Sequence, residues 1–141
     1  MIVSVDYRLS PEWRFPAAIE DCYAGLAWTI AHAGELGIDP ARIGVMGESA
    51  GGGIAAALAL MARDRGEYGL AFQHLTYPMI DDRTCVRPPH PVTGEFVWPA
   101  HNNHFGWSAY LGREPGGDDV PAYAAAARAA DLTGLPPAYV M

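Results

Sequence analysis

An α/β fold, with a mostly parallel sheet flanked by helices, is what the pattern of this chain predicts, on three observations. The run at residues 2–5 leaves no room for a polar face, as expected of a strand buried on both sides; 42–46 reads as a second short buried strand and 70–78 as a third. Between them lie stretches of helical spacing. The resulting order of strand, helix, strand, helix, strand joins parallel neighbours through crossovers. The chain has 141 residues, half of them hydrophobic, which suits one domain with a real core.

Taken in order, Ile2-Val3-Ser4-Val5 reads as a buried strand, and Asp6–Pro16 as a loop with two of its prolines at 11 and 16. From Ala17 a helix begins. Ile19, Cys22, Tyr23, Leu26, Trp28 and Ile30 recur at mostly helical spacing, with Glu20 and Asp21 early, where the dipole favours acids, and a stop near Gly34. Asp39-Pro40 marks a turn before the second strand, Arg42–Met46. A small-residue helix follows Ser49 and ends near Gly66, and a third strand spans 70–78. Residues 81 to about 121 break the pattern and are rich in Pro, Gly, Asn, His and aromatics, with one helix around Asn103–Leu111. A loop this long is expected to be functional. Residues 122–141 return to the core, with "AYVM" opening a fourth strand.

Composition excludes several function classes. The net charge of −7 argues against nucleic acid, which needs clustered Lys and Arg. No apolar run is long enough to span a bilayer, and the start lacks the basic lead of a signal peptide, so a cytoplasmic protein is expected. Cys22 and Cys85 are expected to be free thiols. No spacing resembles a zinc site; His101 and His104 stand three apart but lack a third ligand nearby. Neither metal nor cofactor is expected.

The stretch "GVMGESAGGG", residues 44–53, sets one serine among five glycines. Gly47-Glu48-Ser49-Ala50-Gly51 is G-x-S-x-G, the pattern of a serine on a tight strand-to-helix turn. Glycine two before and two after is expected to relieve the crowding of that turn. The turn projects Ser49 Oγ above the sheet as a candidate nucleophile, and the Ala50 N–H, at a helix N-terminus, can help hold an oxyanion. The same glycines could form a plain turn. A phosphate loop does not fit, because no Gly-Lys-Ser/Thr follows.

"DYRLSPEWRFPAAIED", "GESAGGGIAAALAL", "LTYP" and "DLTGLPPAYV" resemble, in that order, the hormone-sensitive-lipase-like branch of the α/β-hydrolases, mostly carboxylesterases. The resemblance covers nearly the whole chain. It implies that these residues form the central part of that fold, with core segments 1–80 and 122–141 and a cap-like insertion at about 81–121. It implies that Ser49 is the acyl-accepting nucleophile and Ala50 an oxyanion donor. Asp6, Tyr7, Arg8, Pro11 and Glu12 would brace the floor of the site. Glu48 is expected in a scaffold role, pointing away from Ser49. The aromatics Phe96, Trp98, Phe105, Trp107 and Tyr110 either line an acyl pocket or brace a loop against the sheet.

A serine hydroxyl needs a base. In the resembled family an acid and then a histidine follow the strand that "PPAYVM" begins, and an H-G-G-G oxyanion loop precedes "VSVDYRL". The chain as given holds neither, so a fragment with little or no esterase activity of its own is expected. Of the five histidines, His32 sits at a helix end, His74 in a strand, and His90, His101 and His104 in the insertion. The function expected is hydrolysis of short- to medium-chain carboxylic esters through an acyl-serine. The alternative is a non-catalytic remnant, or a module that binds acyl compounds or assembles with another chain. In the family a further strand sits between residues 2–5 and 42–46, so open sheet edges and self-association through them are expected.

Overall fold

The computed structural model describes residues 1–88, 90–92, 94 and 96–141. Its elements in chain order are helix α1 (Ala17–Ala31), the single-turn helix α2 (Ala33–Leu36), strand β1 (Val45–Glu48), helix α3 (Ala50–Arg65), strand β2 (Gln73–Thr76), helix α4 (Ala100–Leu111) and strand β3 (Ala138–Val140). The strands form one parallel sheet in the order β1-β2-β3, with Val45 opposite Gln73 and Gln73 opposite Ala138.

The centre of the molecule is α3. Every residue from Gly52 to Ala62 is buried. Its run of Gly and Ala lets the backbone lie close to β1 and β2 on one side and α1 on the other. Ile54, Ala57, Leu58 and Met61 meet Ile19, Cys22, Tyr23 and Leu26 of α1, while Ala55 and Ala56 pack on Leu75 of β2. Each large apolar side chain buried there stabilises the fold by about 1.5–3 kcal/mol. Arg63 and Arg65 in the last turn suit the helix dipole. Gly66, at φ 65°, closes α3 by donating its N–H to Ala62 O at 3.0 Å.

Four expectations are corrected. Residues 2–5 form no strand, and Ile2 is 82 % exposed. Strand structure needs a ladder partner, and none of the described residues pairs with this segment. The second strand lies at Val45–Glu48 rather than 42–46, because Pro40–Arg42 winds into a 3₁₀ turn capped by Asp39, whose carboxylate accepts from Ala41 N–H at 2.9 Å. The third strand is shorter than 70–78. The first helix ends at Ala31 rather than near Gly34; α2 follows and stops at Gly37, φ 65°. Trp28, although helically spaced with the core positions, is half exposed and stacks on His32. Cys22 and Cys85 are both free, and burial pushes each thiol up to about 11.

A second core gathers the described part of residues 81–121. Trp107 of α4 is buried with Val120, Ala124 and Ala125, and Phe15, Met79, Cys85 and Tyr110 pack around it. A buried ion pair secures the segment. Asp82, 0 % exposed, accepts Arg128 Nε at 2.6 Å, Arg128 Nη2 at 2.9 Å and the Gly116 N–H at 2.6 Å. Burial opposes ionisation of Asp82, but the Arg128 fork and the Gly116 amide outweigh it and hold its pKa below the usual carboxylate value.

Arg128→Ala therefore leaves a buried carboxylate unpaired and should cost about 3–5 kcal/mol, read from the urea midpoint. Because the folded-state pKa of Asp82 is depressed, its stabilisation is complete above the unfolded value near 4 and is lost as pH falls through the lower folded value. The urea midpoint of Asp82→Asn should accordingly fall less steeply than that of the parent chain as pH drops below about 4.

Candidate active site

The turn between β1 and α3 is built on one residue. Ser49 has φ 55° and ψ −119°, in the left-handed half of backbone space that side chains disfavour. The surrounding hydrogen bonds impose it. Ser49 donates its N–H to Thr76 O at 3.0 Å, and its carbonyl accepts from Gly53 N–H at 3.1 Å and from Met79 N–H at 2.9 Å. Ser49 is thus bonded to β2, to the first turn of α3 and to the segment after β2.

Two glycines make the turn sterically possible. A Cβ on Gly47 would overlap the Gly51 carbonyl, and one on Gly53 would overlap the Met79 carbonyl. Gly51 differs from the expectation: a Cβ there would meet only Tyr7 Oη, at an ordinary 3.9 Å. The crowding comes from the Gly51 backbone pressing on Gly47. The motif pattern missed Gly53, whose signal was the glycine run itself.

Ser49 is half-buried, and Ala50 opens the 16-residue α3 with an exposed side chain. Amides in a first helical turn have no intrahelical carbonyl to bond, and among the described residues the Ala50 N–H, next to Ser49, has no acceptor. Glu48 is exposed, and its carboxylate near Tyr77 raises the Tyr77 phenol pKa.

The loop before α1 is tied down unevenly. Arg8 clamps Asp21 of α1 with Nε and Nη2, both at 2.8 Å, and with its amide at 3.0 Å. That clamp lowers the Asp21 pKa to about 2. Tyr7 is partly buried against the main core and runs behind Gly51; burial, then Cys22, raises its phenol pKa. Asp6, Pro11 and Glu12 are exposed. A shallow cavity of about 380 Å³ lies among Asp6, Tyr7, Arg8, Glu12 and Trp13.

The five aromatics separate. Trp107 is 3 % exposed, and Tyr110 packs edge-on against Phe15 and Trp107, so both brace α4. Phe96, Trp98 and Phe105 are exposed, Phe105 at 71 %. Trp98 lies near Gly106 of α4, as does Met79, whose amide bonds Ser49. None of the histidine contacts reaches Ser49 among the described residues. His32 Nδ1 bonds Trp28 O at 2.8 Å, His74 packs on Tyr139, His90 Nδ1 accepts from Val92 N–H, and His104 Nε2 lies 3.0 Å from Glu114. His101 is exposed. No helix among the described residues is long and apolar enough to cross a membrane.

The family model described as alpha/beta hydrolase fold matches residues 1–141. The chain belongs to the α/β-hydrolase family. Esterase LipI of Mycobacterium tuberculosis is 40 % identical over 145 residues, covering 99 % of this chain and 43 % of that protein. Carboxylesterase NlhH of the same species is 55 % identical over 78 residues, covering 55 % of this chain and 24 % of NlhH. Among solved structures, a bacterial heroin esterase superposes with a TM-score of 0.86 at 48 % identity, over 95 % of this chain and 43 % of that one. These similarities place the chain in the hormone-sensitive-lipase-like branch of the α/β-hydrolases. The chain spans less than half the length of these relatives.

The strain has a measurable consequence. Ser49→Gly should raise stability by about 1–2 kcal/mol, since glycine adopts this backbone freely. Ser49→Ala, which keeps the Cβ, should leave it nearly unchanged. Gly47→Ala should cost about 3 kcal/mol through the clash with Gly51. Thermal unfolding of the three variants beside the parent checks the order.

Proposed function

We propose that these residues are the nucleophile-bearing part of a serine carboxylesterase. The observation that carries this reading is the backbone of Ser49, held at φ 55° between β1 and α3. In this reading that strained backbone aims Oγ off the sheet beside the amide of Ala50. Ser49 Oγ attacks the ester carbonyl, a base takes its proton, and the alcohol departs to leave an acyl-serine. Water then attacks the acyl carbonyl and the serine leaves with the free acid. The Ala50 N–H donates to the oxyanion in both steps. Gly47 and Gly51 shape the turn, Glu48 stands beside it near Tyr77, and Tyr7 supports it from behind. Asp6, Arg8 and Glu12 form the floor of the site, with the Arg8–Asp21 clamp fixing that loop on α1.

In this reading the substrate is a small carboxylic ester, the class named for the esterases among the relatives, and its acyl chain is short to medium in length. Residues 81–121 act as a cap over the site. Phe96, Trp98 and Phe105 are its candidates for acyl contact, while Trp107 and Tyr110 hold α4 in place. The base, its orienting acid and a second oxyanion element come from residues other than these 141. The placements of the five histidines support that division.

Two assays test the reading. The 141-residue chain should hydrolyse p-nitrophenyl acetate no faster than its Ser49→Ala variant. Robust Ser49-dependent turnover would mean that a base is present within it. In a longer, active polypeptide containing these residues, Ser49→Ala should lower kcat on the order of 10⁶-fold. Trp98→Ala and Phe105→Ala should shift the preferred acyl length there, and an unchanged profile would return both aromatics to a bracing role.

A further inference from the structure

Trp98 is held at two points on α4. It stands immediately before Pro99, the residue that caps the helix, and Asn103 lies one turn inside, its backbone amide bonded to Pro99 O at 3.1 Å. Positions so spaced face each other across a helix start. Here the Trp98 Nε1–H donates to Asn103 Oδ1 at 3.2 Å. The benzenoid edge of the indole lies on Gly106, where a Cβ would meet Trp98 Cζ2 at 3.5 Å and Cη2 at 3.6 Å. Asn103 and Gly106, three residues apart, share one face of the helix.

The Asn103 amide has one orientation that satisfies its neighbours. Its Nδ2 donates to Thr84 Oγ1 at 2.9 Å, and Thr84 Oγ1 donates to Asp81 O at 2.8 Å. A hydroxyl carries one proton, and that of Thr84 goes to Asp81, so Thr84 can only accept from Asn103. The amide therefore presents its oxygen to the indole N–H, which can only donate. The foot of this relay is the 3₁₀ turn Asp82–Cys85, fixed by the buried Asp82–Arg128 pair. Its head reaches the serine turn. Met79 Cε lies 3.9 Å from the same Gly106 position, and the Met79 amide bonds Ser49 O at 2.9 Å.

We propose that Asn103 is a positioning residue for acyl selectivity: oriented by Thr84, it fixes the Trp98 indole against Gly106, beside Met79, as a rigid wall of the acyl site. The proposal rests on the esterase reading above. A wall locked by packing and by a hydrogen bond behind it discriminates between acyl lengths, whereas a ring free to swing admits several.

The test uses a longer, active polypeptide containing these residues and p-nitrophenyl esters from acetate to octanoate. Asn103→Ala should lower the ratio of kcat/KM between the preferred ester and the next in length by roughly two- to tenfold, the range that one net hydrogen bond supports. In a Trp98→Phe background, where no indole N–H remains, Asn103→Ala should not change that ratio further. Thr84→Val should act like Asn103→Ala, and Thr84→Ser, which keeps the hydroxyl, should not. Ser49-dependent turnover with a ratio that Asn103→Ala leaves unchanged, or changes equally in both backgrounds, overturns the positioning role alone. Turnover that survives Ser49→Ala overturns the esterase reading and the proposal with it. Should Asn103→Ala fail to fold, hydrogen exchange in the unmodified polypeptide decides. The Trp98 indole N–H should exchange more slowly than that of Trp28, which is exposed to a similar degree, and equal rates overturn the proposal.

Discussion

The peptide backbone of Ser49 is the constraint on which the rest of the structure depends. A serine at positive φ is unfavourable by about 1–3 kcal/mol, and it persists only where the surroundings over-determine it. Here three hydrogen bonds do so, from Ser49 to Thr76, Gly53 and Met79. They join the turn to the next strand, β2, to the first turn of the helix after it and to the segment beyond β2. The turn is rigid because it is shared, and a shared turn can aim a hydroxyl.

The burial of α3 follows from the same geometry. A helix leaving so tight a turn must lie close against the sheet it came from. Only small residues allow that approach, and α3 supplies Gly52, Gly53, Ala55, Ala56, Ala57 and Ala59. The larger Ile54, Leu58 and Met61 fill the space towards α1. The Met79 carbonyl, pressed against Gly53, brings the start of the 81–121 region next to the serine. Asp82 and Arg128 then fix that region from within.

Much of this was legible in the sequence. The α3 boundaries, Ser49 to Gly66, were readable because a tight-turn motif and a left-handed glycine are local devices. The helical spacing of Ile19, Cys22, Tyr23 and Leu26 located the α1 core. Residues 2–5 were not legible, because a β-branched run states a propensity and a strand also needs a neighbour. The roles of the aromatics were hidden for a similar reason. Trp107 and Phe105 are two apart on one helix, and only the packing of Val120 and Ala124 decides which is buried. Asp82 gave no motif at all, since its partner Arg128 lies 46 residues away.

The central claim is that the strained turn exists to make Ser49 an acyl acceptor. Its most direct test is to acid-quench a longer, active polypeptide containing these residues during turnover of p-nitrophenyl acetate, and to map the acetyl group by peptide mass spectrometry. The account predicts a single acetylated peptide, with the modification on Ser49 and its disappearance on longer incubation. Turnover with the acetyl group on another residue, or with Ser49 never modified, would contradict it.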